Sequence, residues 1–415
     1  MSYMDELGKK AVAAKGKIAT ASTGEKNAVL QKIAEVLVEN VDVILEENEK
    51  DIAKARDNGI TETMVDRLRL TKERIEGIAD ACVQLVNLED PVGEILQGSV
   101  RPNGMRITKV RVPLGVVGII YESRPNVTVD AAALCIKSGN VAILRGGKEA
   151  IHSNTILMKL MQKALEACGY AAETVQLVED TSREVATEMM RANEYIDVLI
   201  PRGGAGLIQA IVKNATVPVI ETGTGNCHIY VDETADLEMA VSIADNGKTQ
   251  RPSVCNALET CLVHSSVAGE FLPKLAKAFE AHKVEIRGCE RTKEILGDGV
   301  IPATEEDYNT EFLDYIMSVK VVDSIEEAIA HISKYSTGHS ECIVTKNYDS
   351  AEKFQKEIDS ACVYVNCSTR FTDGGEFGLG AEIGISTQKL HVRGPMGLRE
   401  LTTQKYLING TGQIR

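Results

Sequence analysis

Val116-Val-Gly-Ile-Ile-Tyr121 is an apolar run, followed by a helical stretch from Thr128 to Ile136, the turn Ser138-Gly139-Asn140 and a second apolar run, Val141-Ala-Ile-Leu144. Short apolar runs with no polar alternation read as strands covered on both faces, and a helical stretch between them reads as the crossover of a parallel sheet. The alternation continues outward from there. Glu149 to Cys168 has the period of a helix and Thr174 to Val178 that of a strand, and Thr181-Ser-Arg-Glu184 spells a capping box opening the next helix. Ile196-Asp-Val-Leu-Ile200 is a strand, Leu207 to Asn214 a helix and Val217-Pro-Val-Ile220 a further strand. A second run of the same texture follows residue 257: strands at Leu258 to His264, Val284 to Arg287, Tyr315 to Val322, Glu341 to Thr345 and Ala361 to Val365. Helices at Ala268 to His282, after the Ser324-Ile-Glu-Glu327 box, and at Ser350 to Ile358 separate them. The fold class is α/β, with two open parallel-sheet lobes, and such sheets bind ligands at the carboxyl ends of their strands.

The flanks differ. From Ser2 to about Asn87 apolar residues recur at helical spacing (Val29, Leu30, Ile33, Val36, Leu37), which predicts three or four helices with solvated charged faces. Ser99 to Val112 alternates apolar with basic residues around Asn103-Gly104, a hairpin signal. Such a hairpin needs a partner, either another strand of this chain or a second subunit. Residues 291–313 and 367–400 read as loops, and Tyr406-Leu-Ile-Asn409 as a lone closing strand.

Composition narrows the partners. In 415 residues, 44% are hydrophobic and 26% charged, as in ordinary globular proteins, and the length calls for more than one lobe. A formal charge of -14 argues against nucleic acid and anionic membrane surfaces, so any anionic ligand must be met by locally placed cations. The ten cysteines are scattered without a CxxC pair, which fits reduced thiols in the cytoplasm and supplies no metal-ligand spacing. The amino terminus has no signal-peptide core, and no apolar run is long enough to span a bilayer.

Several strand ends carry chemistry. Leu144-Arg145-Gly-Gly-Lys148 sets two cations beside flexible backbone at a helix start, a pattern suited to a phosphorylated ligand. Ile200-Pro-Arg202-Gly203-Gly204-Ala-Gly206 has the texture of a phosphate loop without spelling GxGxxG. Ile220-Glu221-Thr-Gly223-Thr-Gly225 ends a strand on a carboxylate, usable as a general base. Cys255 falls on a polar loop, Lys248-Thr-Gln-Arg251-Pro-Ser-Val-Cys255-Asn, where Lys248 and Arg251 would favour a thiolate. An unselected cysteine is more often a buried packing residue, and an unselected arginine a surface ion pair. What tips the balance here is the company these residues keep.

Taken in order, Tyr121-Glu-Ser-Arg-Pro-Asn126, Ile143-Leu-Arg-Gly-Gly-Lys148, Glu221-Thr-Gly-Thr-Gly-Asn-Cys-His228, Thr249-Gln-Arg-Pro-Ser-Val-Cys255-Asn-Ala, Tyr335-Ser-Thr-Gly-His-Ser-Glu341 and Asn366-Cys-Ser-Thr-Arg through Gly384 resemble the aldehyde dehydrogenase superfamily, and within it the gamma-glutamyl phosphate reductase family. The resemblance implies an aldehyde-dehydrogenase-like fold: a cofactor-binding domain over 1–97 and 113–226, a catalytic domain over 227–385, and a small β oligomerisation flap from 98–112 and 400–415. It places the nucleophile on Cys255 and the glutamate-glycine motif on Glu221 and Gly223, with Gly203 and Gly204 on the cofactor side. Glu311 lands where the superfamily holds the nicotinamide ribose, and Arg145 where it holds the adenosine ribose. Lys148 stands where NAD-preferring relatives carry a glutamate, and a cation there favours the 2'-phosphate of NADP(H). The superfamily's oxyanion-hole asparagine is not placed by the Tyr121 to Asn126 stretch, which leaves the backbone N–H of Cys255 as a candidate donor.

The activity implied is NADPH-dependent reduction of L-glutamyl 5-phosphate to glutamate 5-semialdehyde and phosphate through a Cys255 thioester, on the route to proline. Arg124, Asn126, Lys248, Arg251 and Arg370 are candidates for holding the anionic substrate, and His228 and His391 are set aside as structural. A homodimer or homotetramer is implied, with glutamate kinase as a separate partner because the chain opens directly on the reductase helices. The alternatives are a hydrolytic NAD(P)-dependent aldehyde dehydrogenase and a catalytically silent dinucleotide-binding scaffold.

Overall fold

The computed structural model of the chain describes residues 2–122 and 124–415. They form two compact units: Met1–Thr222 with Gly378–Gly384 and Met396–Arg415, and Gly223–Phe377 with Ile385–Pro395.

The first unit opens with α1 (Tyr3–Ala19), α2 (Thr23–Glu39), α3 (Val41–Asp57), α4 (Glu62–Leu68) and α5 (Lys72–Asn87), five helices where the spacing predicts three or four. Ser2 and Ser22 close capping boxes at α1 and α2. The extra division comes from Asn58-Gly59, where a positive φ of 71° at Gly59 ends α3, and from Leu70-Thr71, where Thr71 caps α5. Next come β1 (Ile95–Val100), β2 (Arg106–Pro113), β3 (Val116–Tyr121), α6 (Pro125–Lys137), β4 (Val141–Arg145), α7 (Ile151–Ala167), β5 (Val175–Leu177), α8 (Arg183–Met190), β6 (Val198–Arg202) and α9 (Ala205–Asn214). The sheet order β5-β4-β3-β6 is parallel throughout. All six residues of β3 are buried, and each fully buried Val or Ile contributes about 1.5–3 kcal/mol. This is why the Val116 run dominates the reading of the fold.

Three local expectations change. Val217-Pro-Val-Ile220 makes only a single bridge, Leu199 to Val219, because Pro218 has no N–H to extend a ladder. The cap of α8 is Ser182 rather than Thr181: its hydroxyl accepts from the N–H of Val185, so the Thr181–Glu184 box does not form. The Asn103-Gly104 hairpin pairs within this chain, with β2 hydrogen-bonded on its other edge to the C-terminal strand Thr402–Asn409, which is therefore not a lone strand.

The second unit runs through β7 (Cys227–Val231), α10 (Leu237–Thr249), β8 (Leu258–His264), α11 (Ser265–Phe279), β9 (Glu285–Gly288), α12 (Glu290–Leu296), β10 (Ile301–Pro302), α13 (Glu305–Asn309), β11 (Ile316–Val322), α14 (Ile325–Tyr335), β12 (Ser340–Val344), α15 (Tyr348–Glu357) and β13 (Cys362–Val365). Its parallel sheet has the order β10-β9-β11-β8-β7-β12-β13. Residues 291–313, expected as a loop, contain most of α12 and all of β10 and α13, segments too short for periodicity to register. Ser324 caps α14 as expected by accepting from the N–H of Glu327, while the Glu327 carboxylate returns to the N–H of Asp323. Among the described residues, no helix is long and apolar enough to cross a membrane.

Candidate active site

In the second unit, Cys255 sits half-buried on the turn that links α10 to β8. Gly225 is pressed against it: a Cβ built there would fall 1.4 Å from the Cys255 carbonyl oxygen and 2.7 Å from its Cα. Only a residue without a side chain allows that approach. The chain at Gly225 is pinned from its far side. The N–H of Gly225 donates to Glu311 Oε1 at 2.7 Å, and Thr337 Oγ1 donates to the Thr224 carbonyl at 2.6 Å while accepting from the N–H of Asn226 at 3.0 Å. The Cys227 thiol donates to the Cys255 carbonyl at 3.2 Å. Burial raises the pKa of the Glu311 carboxyl, and the bond from Gly225 opposes that rise.

The cations around the thiol differ from the expected set. Helix α10 continues to Thr249, so Lys248 lies on the helix rather than the loop. Its side chain is fully buried, with Nζ 2.6 Å from Glu259 Oε2. Burial dominates both partners, lowering the pKa of the lysine and raising that of the glutamate. The ammonium is spent on an internal ion pair. Arg251 is exposed on the loop itself. Arg370 is half-buried, with Nε donating to Gln250 Oε1 at 3.0 Å and Nη1 donating to Asn256 Oδ1. Its pKa is lowered first by burial and then by repulsion from Arg251, while the charge of Asp373 and, after it, that of Cys255 pull the other way. Arg251, Arg370 and Cys255 therefore share one electrostatic environment.

Asn256, which sequence reading passed over, organises this corner. Its Nδ2 donates to the carbonyls of Thr372 (2.9 Å) and Arg370 (3.3 Å), and its own carbonyl accepts from Thr369 Oγ1 at 2.8 Å. The signal was its place directly after the thiol. His228 is buried with Nδ1 3.0 Å from Glu341 Oε2, a structural contact. Gly223 packs within the same unit, where a Cβ would meet Thr387 at 2.4 Å.

The first unit holds the remaining candidates. Glu221 is half-buried after the Val219 bridge. Arg124 is the exposed N-cap of α6, and Asn126 in the first turn donates from Nδ2 to Asp130 Oδ2 at 2.9 Å. Ser123, in the same motif, lies outside the described residues. At the end of β4, Arg145 Nη2 donates to the carbonyls of Thr181 (3.0 Å) and Ser182 (3.3 Å). Arg145 Nε is buried with no hydrogen-bond partner among the described residues, and Lys148 stands exposed three residues on. The Gly203-Gly204 turn already holds an anion of this chain: Gly204 N–H donates to Glu122 Oε2 at 3.1 Å, and a Cβ on Gly203 would strike the Glu122 carboxyl at 2.6 Å. Glu122 thus competes with any phosphate for that helix start, and this weakens the phosphate-loop reading of Gly203 and Gly204.

The orphaned donor on Arg145 and the exposed Lys148 three residues on fit the adenosine end of a dinucleotide: a buried N–H wants an acceptor, and a cation wants an anion. No group of three or more His, Cys, Asp or Glu side chains able to hold a metal occurs among the described residues.

Comparisons with known proteins identify the family. A family model described as the aldehyde dehydrogenase family matches residues 2–293 and 303–405. A gamma-glutamyl phosphate reductase of Clostridium perfringens (strain SM101 / Type A) is 60% identical over 408 residues, covering 98% of each chain. One of Carboxydothermus hydrogenoformans is 60% identical over 415 residues, covering 99% of this chain and 100% of its own. The crystal structure of gamma-glutamyl phosphate reductase from Thermotoga maritima superposes with a TM-score of 0.98 at 53% identity, covering 100% of both chains.

Proposed function

Since the chain belongs to the aldehyde dehydrogenase family and, within it, to the gamma-glutamyl phosphate reductases, we propose that it reduces L-glutamyl 5-phosphate to L-glutamate 5-semialdehyde and phosphate through a thioester on Cys255. The observation that supports this most is the Cys255 turn: a half-buried thiol, its backbone fixed by Gly225, sharing its surroundings with Arg251 and Arg370.

The Cys255 thiolate attacks the carbonyl carbon of the acyl phosphate, forming a C–S bond. The C–O bond to phosphate breaks, and its electron pair leaves with the phosphate, which is a good leaving group without acid catalysis. Arg251 and Arg370 hold the transferring phosphate and offset its charge in a chain of net charge -14. The Cys255 backbone N–H faces the developing oxyanion. A nicotinamide dinucleotide, when bound, supplies the hydride that takes the thioester to the aldehyde level. Arg145 and Lys148 would hold its adenosine end, Glu311 its nicotinamide ribose, and Lys148 makes NADPH the preferred form. Collapse of the thiohemiacetal returns the C–S electron pair to sulfur. No water is consumed, so Glu221 has no deacylating duty and serves the cofactor side or proton handling. The semialdehyde closes to a pyrroline on the way to proline.

We place the enzyme in the cytoplasm as a homodimer or homotetramer. The test runs the reaction backwards, following reduction of NADP by glutamate 5-semialdehyde with and without phosphate, in the wild type and in Cys255→Ala. The expected result is phosphate-dependent turnover lost in the variant. A hydrolytic dehydrogenase would turn over equally without phosphate.

A further inference from the structure

We propose that Glu259 is a positioning residue for the nicotinamide dinucleotide, because it fixes the turn that carries Glu311; this rests on the reading of Glu311 given above, as the carboxylate for the nicotinamide ribose. All the groups concerned lie in the second unit. Between α13 and β11, residues 310–315 form neither helix nor strand, and Glu311 sits in this stretch. Two residues on, Leu313 has a φ of 56°, a left-handed conformation that costs a leucine energy and persists only where its surroundings impose it. Burial of the side chain does not impose it, since Leu313 is 42% exposed. The backbone is what is held: the N–H of Leu313 donates to Glu259 Oε1 at 3.1 Å.

Glu259 stands on β8 with its side chain fully buried, and its other oxygen, Oε2, lies 2.6 Å from Lys248 Nζ, so each oxygen has its own partner. Stability alone does not call for such a pair, because apolar side chains of similar volume often replace a buried ion pair without loss. The bond from Oε1 to Leu313 gives it a task. At the other end of the turn, Glu311 Oε1 accepts from the N–H of Gly225 at 2.7 Å, and Gly225 is the residue pressed against the Cys255 backbone. Leu313, Glu311 and Gly225 therefore lead from the buried pair to the nucleophile's backbone. The charges are joined in the same way. Burial dominates the raised pKa of Glu259, Lys248 and the Leu313 N–H oppose it, and the charge of Glu311 adds to it. On Glu311, burial raises the pKa, while the Gly225 N–H and then Lys248 pull it down. One buried ammonium thus serves two carboxylates, and Glu259 holds the second of them in place through the chain between.

The test measures the NADPH dissociation constant by fluorescence titration in two double variants, Lys248→Met with Glu259→Gln and Lys248→Met with Glu259→Leu. Both remove the buried charges, and they differ in whether Leu313 keeps an acceptor. The inference predicts that the first binds NADPH within about twofold of wild type and the second about tenfold more weakly, with the KM for glutamate 5-semialdehyde unchanged in both, as expected for loss of one charge-assisted bond to the dinucleotide. Should the second fail to fold, Glu259→Asp carries the test: it keeps the charge beside Lys248, draws the oxygen back from Leu313, and is expected to weaken NADPH in the same direction. Equal affinity of the two double variants, beside weakened binding in Glu311→Gln, overturns the inference alone. So does a semialdehyde KM that rises in step with the dissociation constant, since that is general loosening of the site. An NADPH affinity unchanged in Glu311→Gln overturns the reading of Glu311 and this inference with it.

Discussion

A Cβ on Gly225 would lie 1.4 Å from the carbonyl oxygen of Cys255, so Gly225 and the Cys255 backbone occupy one indivisible packing arrangement. Gly225→Ala has to push the two apart, and a displacement of about 1 Å at a reacting group costs about 100-fold in rate. The variant is expected to lose about that factor in kcat/KM. Steady-state kinetics beside a thermal melt check this, since a loss explained by misplacement leaves the fold in place.

The buried Lys248–Glu259 pair makes an opposite kind of prediction, about stability rather than chemistry. Both side chains are fully buried at 2.6 Å, so removing one charge strands the other. Lys248→Met is expected to cost about 3–5 kcal/mol in denaturant unfolding. The double variant Lys248→Met, Glu259→Leu is expected to recover most of it. If Lys248 instead held substrate, the double variant would regain stability and still show a greatly raised KM.

Two histidines set an acid limit. Burial, followed by the charge of His228, lowers the pKa of His331 to about 3, and burial lowers that of His339 to about 4. Both are neutral in the folded protein, whereas the unfolded chain takes up protons below about 6.5. Their stabilising effect is therefore complete above pH 6.5 and is lost as pH falls from there towards 4. Each group costs about 1.4 kcal/mol per pH unit in that window. His331→Phe keeps an aromatic ring against Tyr308 and Tyr335 and is expected to flatten the slope, read as unfolding free energy at pH 7.5 against pH 5.

The proposed preference for NADPH rests on Lys148. Lys148 is exposed three residues after Arg145, and Lys148→Glu would replace attraction for a 2'-phosphate by repulsion. The ratio of kcat/KM for NADPH over NADH is expected to fall by about tenfold or more, consistent with loss of one charge-assisted contact. An unchanged ratio would assign the preference to another residue.

The parallel sheets were legible in the sequence because buried strands such as Val116–Tyr121 and Leu258–His264 carry no polar alternation that could be read otherwise. The shift of the α8 cap from Thr181 to Ser182 was not, since two adjacent hydroxyl residues compete and only the path of the chain decides between them. The position of Cys255 on a turn was legible from its polar, Pro-containing surroundings. The fate of Lys248 was hidden, because its partner Glu259 sits in a strand whose apolar neighbours gave no sign of an inward carboxylate. Asn256 and Glu122 act through contacts with residues far away in sequence, Thr372 and Gly204, which no local pattern announces.

The most direct test of the central claim is the mass of the Cys255-containing peptide after the enzyme meets NADP and glutamate 5-semialdehyde in the absence of phosphate. The account predicts a γ-glutamyl adduct on Cys255 that disappears when phosphate is added and never forms in Cys255→Ala. Phosphate-dependent turnover with no such adduct, or turnover that survives Cys255→Ala, would contradict it.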